Sequence, residues 1–284
     1  MKVITTYLYL AHRSASNLTM ADMQDILLSD FFSQTYDQIL SCLTQMCDGN
    51  CTTGGHNNFV QSESDYTYDK EYARAEQEDA QAKVETRRDV YILSYGIGNF
   101  ISCLIARYQL AFLLALRDRL GAECTACEVF DPVFTSHERS VLKTFNCVLS
   151  SQNEEGKRLC SVRTIAFLPH CGKALYNNLL WRNAASPNCD SLFNLLLIGN
   201  SFQHMVERTP SRQLQKTANF VQQLQPYIRE IQVDNNFTHK DIFNDLAIHW
   251  FHPSQQGVLV SCLERNCEEP VYDNCDVEFI RSKD

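Results

Sequence analysis

The hydrophobic pattern from residue 89 onward alternates between short apolar runs and longer segments with helical spacing. Residues 90–95, 163–168 and 192–198 are apolar runs bounded by glycine or proline, which predicts buried strands. Residues 100–120 and 173–181 have the length and spacing of helices. Strands that alternate with helices predict βαβ units with right-handed crossovers. We therefore expect an α/β protein with a Rossmann-like, mainly parallel sheet and helices on both faces.

Weaker signals complete this alternation. Thr135 and Glu138 form a capping-box pattern that opens one helix, and Pro210 is predicted as the first residue of another with Thr209 as its cap. A second near-capping box at Thr238 predicts a helix that runs to Trp250. Further strands are predicted at 128–131, 146–150 and 227–233.

The residues before position 89 follow a different pattern. Residues 22–46 carry apolar side chains at near-helical spacing and predict one amphipathic helix, whereas 47–66 are rich in Gly, Asn, Ser and Asp. The resulting division is an N-terminal amphipathic helix and flexible loop at 1–66, a charged helix or linker at 67–88, a Rossmann-like domain at 89–252, and a C-terminal extension at 253–284.

Charge and cysteine usage restrict the function classes. The formal net charge of -9 disfavours binding to nucleic acid or to an anionic membrane. Thirteen cysteines, an odd number, fit a reducing cytoplasm or nucleus better than a secreted disulfide framework. Residues 3–11 faintly resemble a signal peptide, but two threonines and two tyrosines make that stretch polar, so we expect no secretion. Apolar runs stay below the roughly 18 residues that a membrane span needs.

Polar or glycine-rich residues follow four of the predicted strands. Carboxyl ends of parallel strands meet at one edge of a sheet, where ligands bind at the switch point of strand order. We therefore expect a small-molecule or nucleoside-type ligand site at this edge. Its candidate residues are Gly96, Gly98, Asn99, Asp131, His170, Cys171, Gly172, Lys173, Asn200 and Ser201.

Two of these segments have alternative interpretations. Gly96-x-Gly98 lets the backbone approach a ligand, or it simply permits a tight strand-to-helix turn capped by Asn99. The third glycine of the dinucleotide fingerprint is replaced by Ile101, which argues against pyrophosphate binding. Asp131 either accepts hydrogen bonds from ribose hydroxyls or is a turn aspartate before Pro132.

The chemistry of the other candidates is less specific. Cys171 beside a helix start could be a reactive thiolate with His170 as its base, but a structural or ligand-contacting role is favoured because adjacent residues seldom form a nucleophile–base pair without a third group. Lys173 could hold an anion or be solvated. Cys124-x-x-Cys127 lacks a second pair at zinc spacing, and the C-terminal cysteines are irregularly spaced. We therefore predict no metal site, and the sequence names no cofactor and no catalytic residue.

Several strand-end segments resemble the "sensitivity to red light reduced" family over about residues 88–252. The segments are Tyr-Gly-Ile-Gly-Asn-Phe (95–100), Ala-Arg-Tyr-Gln-Leu-Ala (106–111), Phe-Asp-Pro-Val-Phe (130–134), Leu-Pro-His-Cys-Gly (168–172), Leu-Tyr-Asn-Asn-Leu-Leu-Trp (175–181) and Ile-Gly-Asn-Ser-Phe (198–202). The resemblance implies a regulatory protein in a circadian clock input pathway, with a suggested link to haem biosynthesis. It implies no reaction, so no catalytic residue is carried over.

Two classes of function follow. The first is a regulatory protein with a ligand-sensing or adaptor site and a protein partner, which the resemblance supports. The alternative is a methyltransferase-like enzyme that uses a nucleoside cofactor, which the order of glycine loop, acid and polar loop supports. Tyr95 stands where such enzymes usually carry an acid before the glycine loop, and this argues against the alternative.

Overall fold

The computed structural model describes residues 20–47, 89–263, 267–272 and 280–281. Most of the predicted loop at 47–66 and all of the charged segment at 67–88 lie outside the described residues. The two short C-terminal stretches, 267–272 and 280–281, lie on the main domain.

A seven-stranded sheet forms the centre of the domain, in the order β3-β2-β1-β4-β5-β7-β6. The strands are β1 (Val90–Tyr95), β2 (Cys124–Phe130), β3 (Val148–Leu149), β4 (Thr164–Leu168), β5 (Leu195–Asn200), β6 (Ile228–Gln232) and β7 (Leu246–Phe251). β1 to β5 pair in parallel, and β7 is antiparallel to both of its neighbours. The expectation of an α/β protein with a mainly parallel sheet is confirmed.

Helices connect the strands and cover both faces of the sheet. They are α1 (Met20–Leu27), α2 (Asp30–Gln45), α3 (Leu104–Leu120), α4 (Ser136–Thr144), α5 (Lys173–Ala184), α6 (Phe202–Arg208), α7 (Ser211–Thr217), α8 (Asn219–Leu224) and α9 (Gln256–Leu263). In the described part of the chain, none of these helices is both long and apolar enough to cross a membrane.

Neighbouring residues of a central strand pack into two separate core layers, one on each face of the sheet. Ile92 of β1 packs in the first layer with α1 to α4, whereas the adjacent Leu93 packs in the second layer with α5 to α9. β4 divides in the same way, with Phe167 in the first layer and Leu168 in the second. A strand buried on both faces carries apolar residues at successive positions, which is why these strands appear as continuous apolar runs.

The predicted single helix at 22–46 is wrong, because two helices occupy this region. α1 ends at Leu27, and Ser29 begins α2 as an N-cap whose hydroxyl accepts from the Phe32 N–H at 3.1 Å. A serine side chain in this position satisfies a backbone donor that would otherwise lack a partner at the helix start. α1 then packs against α3, where Asp22 pairs with Arg107 at 3.1 Å.

The helix predicted from Thr238 to Trp250 is also wrong. Residues 246–251 form β7, which lies between β5 and β6 and is buried throughout. A short apolar run does not distinguish a buried strand from a buried helix by its periodicity. Here β5 and β6 pair with the run on either side, and this pairing makes it a strand.

Two helix starts are displaced from their predicted positions. α3 begins at Leu104 rather than Phe100, and Asn99 instead accepts the Ser102 N–H at 3.0 Å within the preceding turn. Pro210 precedes the first residue of α7, and Thr209 belongs to the end of α6.

Candidate functional site

A cavity of about 260 Å³ opens at the carboxyl ends of β1, β2 and β4. From β1 the chain adds β2 and β3 on one side of the sheet and then β4 and β5 on the other. The strand order therefore reverses beside β1. Ligands of open α/β sheets bind at this position. The cavity is lined by Tyr95, Gly96, Phe130, Asp131, Pro132, Val133, Asn153, Gly156, His170, Cys171, Gly172, Leu175 and Ile280.

Asp131 fixes the loop after β1. One carboxylate oxygen accepts the Gly98 N–H at 2.7 Å and the other accepts the Val133 N–H at 2.9 Å. The carboxylate therefore already accepts the Gly98 N–H, which is the donor that a phosphate bound to this loop would use. Each oxygen keeps a lone pair for a further donor, such as a hydroxyl group.

Gly96 brings the loop after β1 against the loop after β4. Its φ is +72°, and a Cβ at this position would lie 2.5 Å from the Cys171 sulfur. Both the positive φ and the close approach require glycine here. Gly98 also has a positive φ of +80°, but it has more room, since a Cβ there would meet the Ala106 Cβ at 3.7 Å.

Cys171 is a neutral thiol in this environment. Burial raises the pKa of the thiol, and the nearby Asp131 carboxylate raises it further. The sulfur lies 3.4 Å from the Tyr95 carbonyl oxygen, to which the thiol donates. Nucleophilic cysteines need a lowered pKa, so this environment does not support a reactive thiolate at Cys171.

His170 and Asn200 shape the wall formed by the loop after β4. His170 has a φ of +55°, and its N–H donates to the Asn200 side-chain oxygen at 2.9 Å. The Asn200 amide donates in turn to the Cys171 carbonyl at 3.1 Å. The His170 ring nitrogens lie 3.4 Å from the Gln109 amide and 3.3 Å from the Asn244 carbonyl oxygen, so both ring nitrogens already have polar neighbours other than Cys171.

The predicted site residues fall into three groups. Those that line the cavity are Gly96, Asp131, His170, Cys171 and Gly172. Gly98 and Asn200 adjoin it through the hydrogen bonds described above. Asn99, Lys173 and Ser201 are not among the lining residues. Ser201 is buried at the start of α6, where its hydroxyl accepts the His204 N–H at 3.0 Å.

Sequence reasoning missed the wall that follows β3. Asn153 and Gly156 line the cavity, and the adjacent Glu155 and Gly156 both have positive φ. The sequence carries one signal for this wall, which is a glycine in a polar run after a predicted strand. The end of β3 lies at the same edge of the sheet as the other strand ends of the cavity. Ile280 also lines the cavity from the C-terminal segment, and no local pattern marked it.

A partly buried charge network supports this wall. The Tyr95 hydroxyl donates to Glu154 at 2.7 Å, and Arg158 bonds both Glu154 at 2.7 Å and Glu128 at 2.8 Å. The Arg158 hydrogen bonds lower the pKa of Glu128, whereas burial and then Glu154 raise the pKa of Tyr95. The network therefore keeps Glu128 charged and Tyr95 neutral at the floor of the cavity.

No group of three or more His, Cys, Asp or Glu side chains that could hold a metal ion occurs among residues 20–47, 89–263, 267–272 and 280–281. Cys275, one of the C-terminal cysteines considered for zinc, lies outside these ranges.

Comparison with known proteins places the chain in a family. The SRR1 domain matches residues 68–250, which is more than half of the chain. The chain belongs to the SRR1 domain family. It is 43% identical over 133 residues to the SRR1-like protein of Mus musculus, covering 46% of this chain and 52% of the relative. This SRR1 domain contains all seven strands except the last residue of β7.

Two further relatives are more distant. The SRR1-like protein of Drosophila melanogaster is 32% identical over 160 residues, covering 56% of this chain and 54% of the relative. Protein SENSITIVITY TO RED LIGHT REDUCED 1 of Arabidopsis thaliana is 32% identical over 151 residues, covering 52% and 54%. The chain thus spans about half the length of the curated relatives it matches.

Proposed function

We propose that this member of the SRR1 domain family is a regulatory protein that senses a small ligand in the cavity at the ends of β1, β2 and β4. The name of the Arabidopsis relative connects that protein with the response to red light, which supports a regulatory role here. More specifically, we propose that the protein acts in circadian clock input and has a link to haem biosynthesis. It would act through a protein partner in the cytoplasm or nucleus.

The observation that carries the proposal is the chemical character of the cavity. Apolar side chains of Phe130, Val133 and Leu175 share its surface with the Asp131 carboxylate. Small-molecule sites have this composition, with apolar walls and a few placed polar groups. The neutral Cys171 thiol and the engaged His170 ring favour binding over nucleophilic chemistry.

The charge of the cavity favours a neutral or cationic ligand. A phosphate would approach the Asp131 carboxylate and would compete with it for the Gly98 N–H. A nucleoside could instead donate ribose hydroxyls to the remaining lone pairs of Asp131 and place its base against the apolar wall. Among common nucleosides and cofactors, this supports adenosine or the sulfonium S-adenosylmethionine over NAD, and it disfavours haem, a larger macrocycle that carries anionic propionates.

A thermal-shift screen tests this proposal directly. Adenosine, S-adenosylmethionine, NAD and haem are each added to the purified protein, and binding to the folded state raises its unfolding temperature. We expect the largest shift from adenosine or S-adenosylmethionine. A shift from NAD or haem alone would overturn the proposed ligand class, and the absence of a shift from all four would overturn nucleoside sensing.

Two matched variants locate the binding site. Val133 lies on the cavity and is 46% exposed, and Val258 on α9 is 52% exposed. Val133→Lys should reduce the affinity for the best ligand, measured by titration calorimetry, whereas Val258→Lys adds the same charge and should leave the affinity unchanged. Equal affinities in both variants would place the ligand elsewhere.

A methyltransferase-like enzyme is the second candidate. The glycine loop after β1, followed by Asp131 directly after β2, supports this candidate by analogy with nucleoside-binding folds. Tyr95 in place of an acid before the glycine loop argues against it. Incubation with S-adenosylmethionine and a cell extract as the pool of acceptors separates the two functions. Steady release of S-adenosylhomocysteine above that of the extract alone would favour the enzyme, and binding without such an increase would favour sensing.

A further inference from the structure

Two cysteines lie side by side at the edge of the sheet, away from the cavity. Cys127 lies in β2 and Cys147 immediately precedes β3. Both belong to the first core layer and are 2% and 6% exposed. Their thiols lie close enough to interact with each other.

The strand register brings these two residues within disulfide range. Glu128 and Val148 are paired across β2 and β3, and each cysteine stands one residue before a member of that pair. Adjacent strands lie about 4.8 Å apart. Disulfides join residues whose Cα atoms are about 4.4 to 6.8 Å apart, so a bond here needs only local adjustment.

Arg117 supplies a positive charge beside the pair. Its Nη1 lies 3.7 Å from the Cys147 sulfur, and the same nitrogen donates to the Phe145 carbonyl. The hydrogen bond with Cys127 lowers the pKa of Cys147 despite burial, and Arg117 lowers it further. An anionic sulfur beside a guanidinium is the nucleophilic form of cysteine.

We propose that Cys127 and Cys147 form a redox modification site, at which a peroxide oxidises the two thiols to a disulfide that links β2 to β3. The Cys147 thiolate attacks the peroxide, so an S–O bond forms, the O–O bond breaks and hydroxide leaves. Cys127 then attacks the Cys147 sulfur, so the S–S bond forms, the S–O bond breaks and a second hydroxide leaves. Both hydroxides take up the two thiol protons, and two thiols and one hydrogen peroxide become one disulfide and two waters.

Peptide mapping of the full chain tests this site. The folded protein is treated with hydrogen peroxide, denatured and alkylated, digested with trypsin under non-reducing conditions and analysed by mass spectrometry. Cys127 falls in the tryptic peptide 120–139 and Cys147 in 144–157. We expect these peptides to appear joined, with the mass of two hydrogens lost, and to separate again after dithiothreitol. Alkylation of Cys147 should fall several-fold on oxidation.

Three variants make the result specific. Cys124 shares the first peptide, so Cys124→Ser should retain the link and thereby assign it to Cys127. Cys160→Ser should also retain it, because Cys160 is equally buried but belongs to the second core layer. Cys147→Ser should abolish it.

Two results obtained with the wild-type protein alone would contradict the disulfide. Full alkylation of both thiols after peroxide treatment, or irreversible oxidation of Cys147 with no joined peptide, would overturn the proposal. Loss of the link in Cys124→Ser would overturn the assignment to Cys127.

Discussion

The ends of β1 and β5 are both polar in sequence, yet they have different surroundings. At the end of β1, Gly96 and the nearby Asp131 border an open cavity. At the end of β5, Ser201 donates to Glu230 at 2.5 Å, and His249 lies buried behind them. The first end presents polar groups to a cavity, whereas Ser201 and His249 at the second end are fully buried.

The difference between the two ends arises from the connection that follows each strand. After β5, α6 begins at once with Phe202, whose ring stacks on His249 with centroids 4.1 Å apart. After β1, eight residues precede α3, and the loop turns through two glycines with positive φ. A polar strand end is therefore a candidate site only where the following segment leaves space in front of it.

Gly199→Ala should give the largest destabilisation, because the β5 end is closely packed. A Cβ at Gly199 would lie 2.7 Å from the ring of the fully buried Tyr176 and 3.0 Å from the Leu168 carbonyl oxygen. Neither can move without disturbing the core, so we expect a loss of about 3 kcal/mol in urea unfolding. Gly257→Ala, where a Cβ meets nothing within 4 Å, is the control. A cost below about 1 kcal/mol at Gly199 would contradict the close packing.

Asp131→Asn should destabilise the cavity end. The carboxylate accepts from the backbone of Gly98 and Val133, and an amide group would turn an N–H toward one of these donors. The variant loses one charge-assisted hydrogen bond and turns its own N–H toward a backbone N–H. We expect this change to cost about 2 kcal/mol in urea unfolding. Asp37→Asn, on an exposed position of α2, should change the free energy of unfolding by less than about 0.5 kcal/mol. Equal effects of the two variants would mean that Asp131 does not hold the loop.

Gly96→Ala tests the contact between the loops after β1 and β4. The positive φ and the overlap with the Cys171 sulfur should together cost about 2 kcal/mol. In a Cys171→Ala background the overlap disappears and only the strain of about 1 kcal/mol should remain. A double-mutant cycle by urea unfolding measures the difference, and a coupling energy near zero would show that the two loops do not restrain each other.

Glu230 should make the buried β5 end sensitive to acid. Burial alone would raise the pKa of Glu230, but hydrogen bonds from His249, Ser201 and the Gln203 backbone lower it to about 2. A lowered folded pKa stabilises the protein above the ordinary value of 4.5, and this stabilisation is lost as the pH falls toward 2. Since solvent screens part of the interaction, we expect an effect of about 1 to 2 kcal/mol.

Urea unfolding of wild type and Glu230→Gln at several pH values measures this effect. The difference in stability should be largest near neutral pH and should shrink below the ordinary pKa of 4.5. Glu207→Gln, at an exposed position of α6, should show no such trend. A difference for Glu230→Gln that stays constant with pH would contradict the role of its charge.

Much of the fold followed from the sequence because the parallel strands are buried on both faces. β1 was predicted with its observed bounds, and β4 to within one residue. β7 was mistaken for helix because a six-residue apolar run carries no periodicity that separates the two structures. The break between α1 and α2 was missed because the helical spacing continues on both sides of Ser29.

The position of the cavity was easier to predict than the residues that line it. Gly96, Asp131 and Cys171 come together because carboxyl ends of parallel strands share an edge. The loop after β3 was overlooked because β3 has only two residues and gives a weak strand signal. Ile280 reaches the cavity through tertiary contact from a distant part of the chain, which a local pattern cannot reveal.

Gly98→Ala should have the smallest effect and separates strain from binding. Gly98 was expected to meet the ligand, but Gly96 lines the cavity and Gly98 does not. With φ at +80° and ordinary contact to Ala106 at 3.7 Å, an alanine here should cost about 1 kcal/mol of strain. Its N–H should still bind Asp131, so the affinity for the best nucleoside in the thermal-shift screen should match that of wild type. Titration of both proteins alongside urea unfolding checks this expectation, and an affinity loss well beyond the stability loss would extend the binding surface from Gly96 to Gly98.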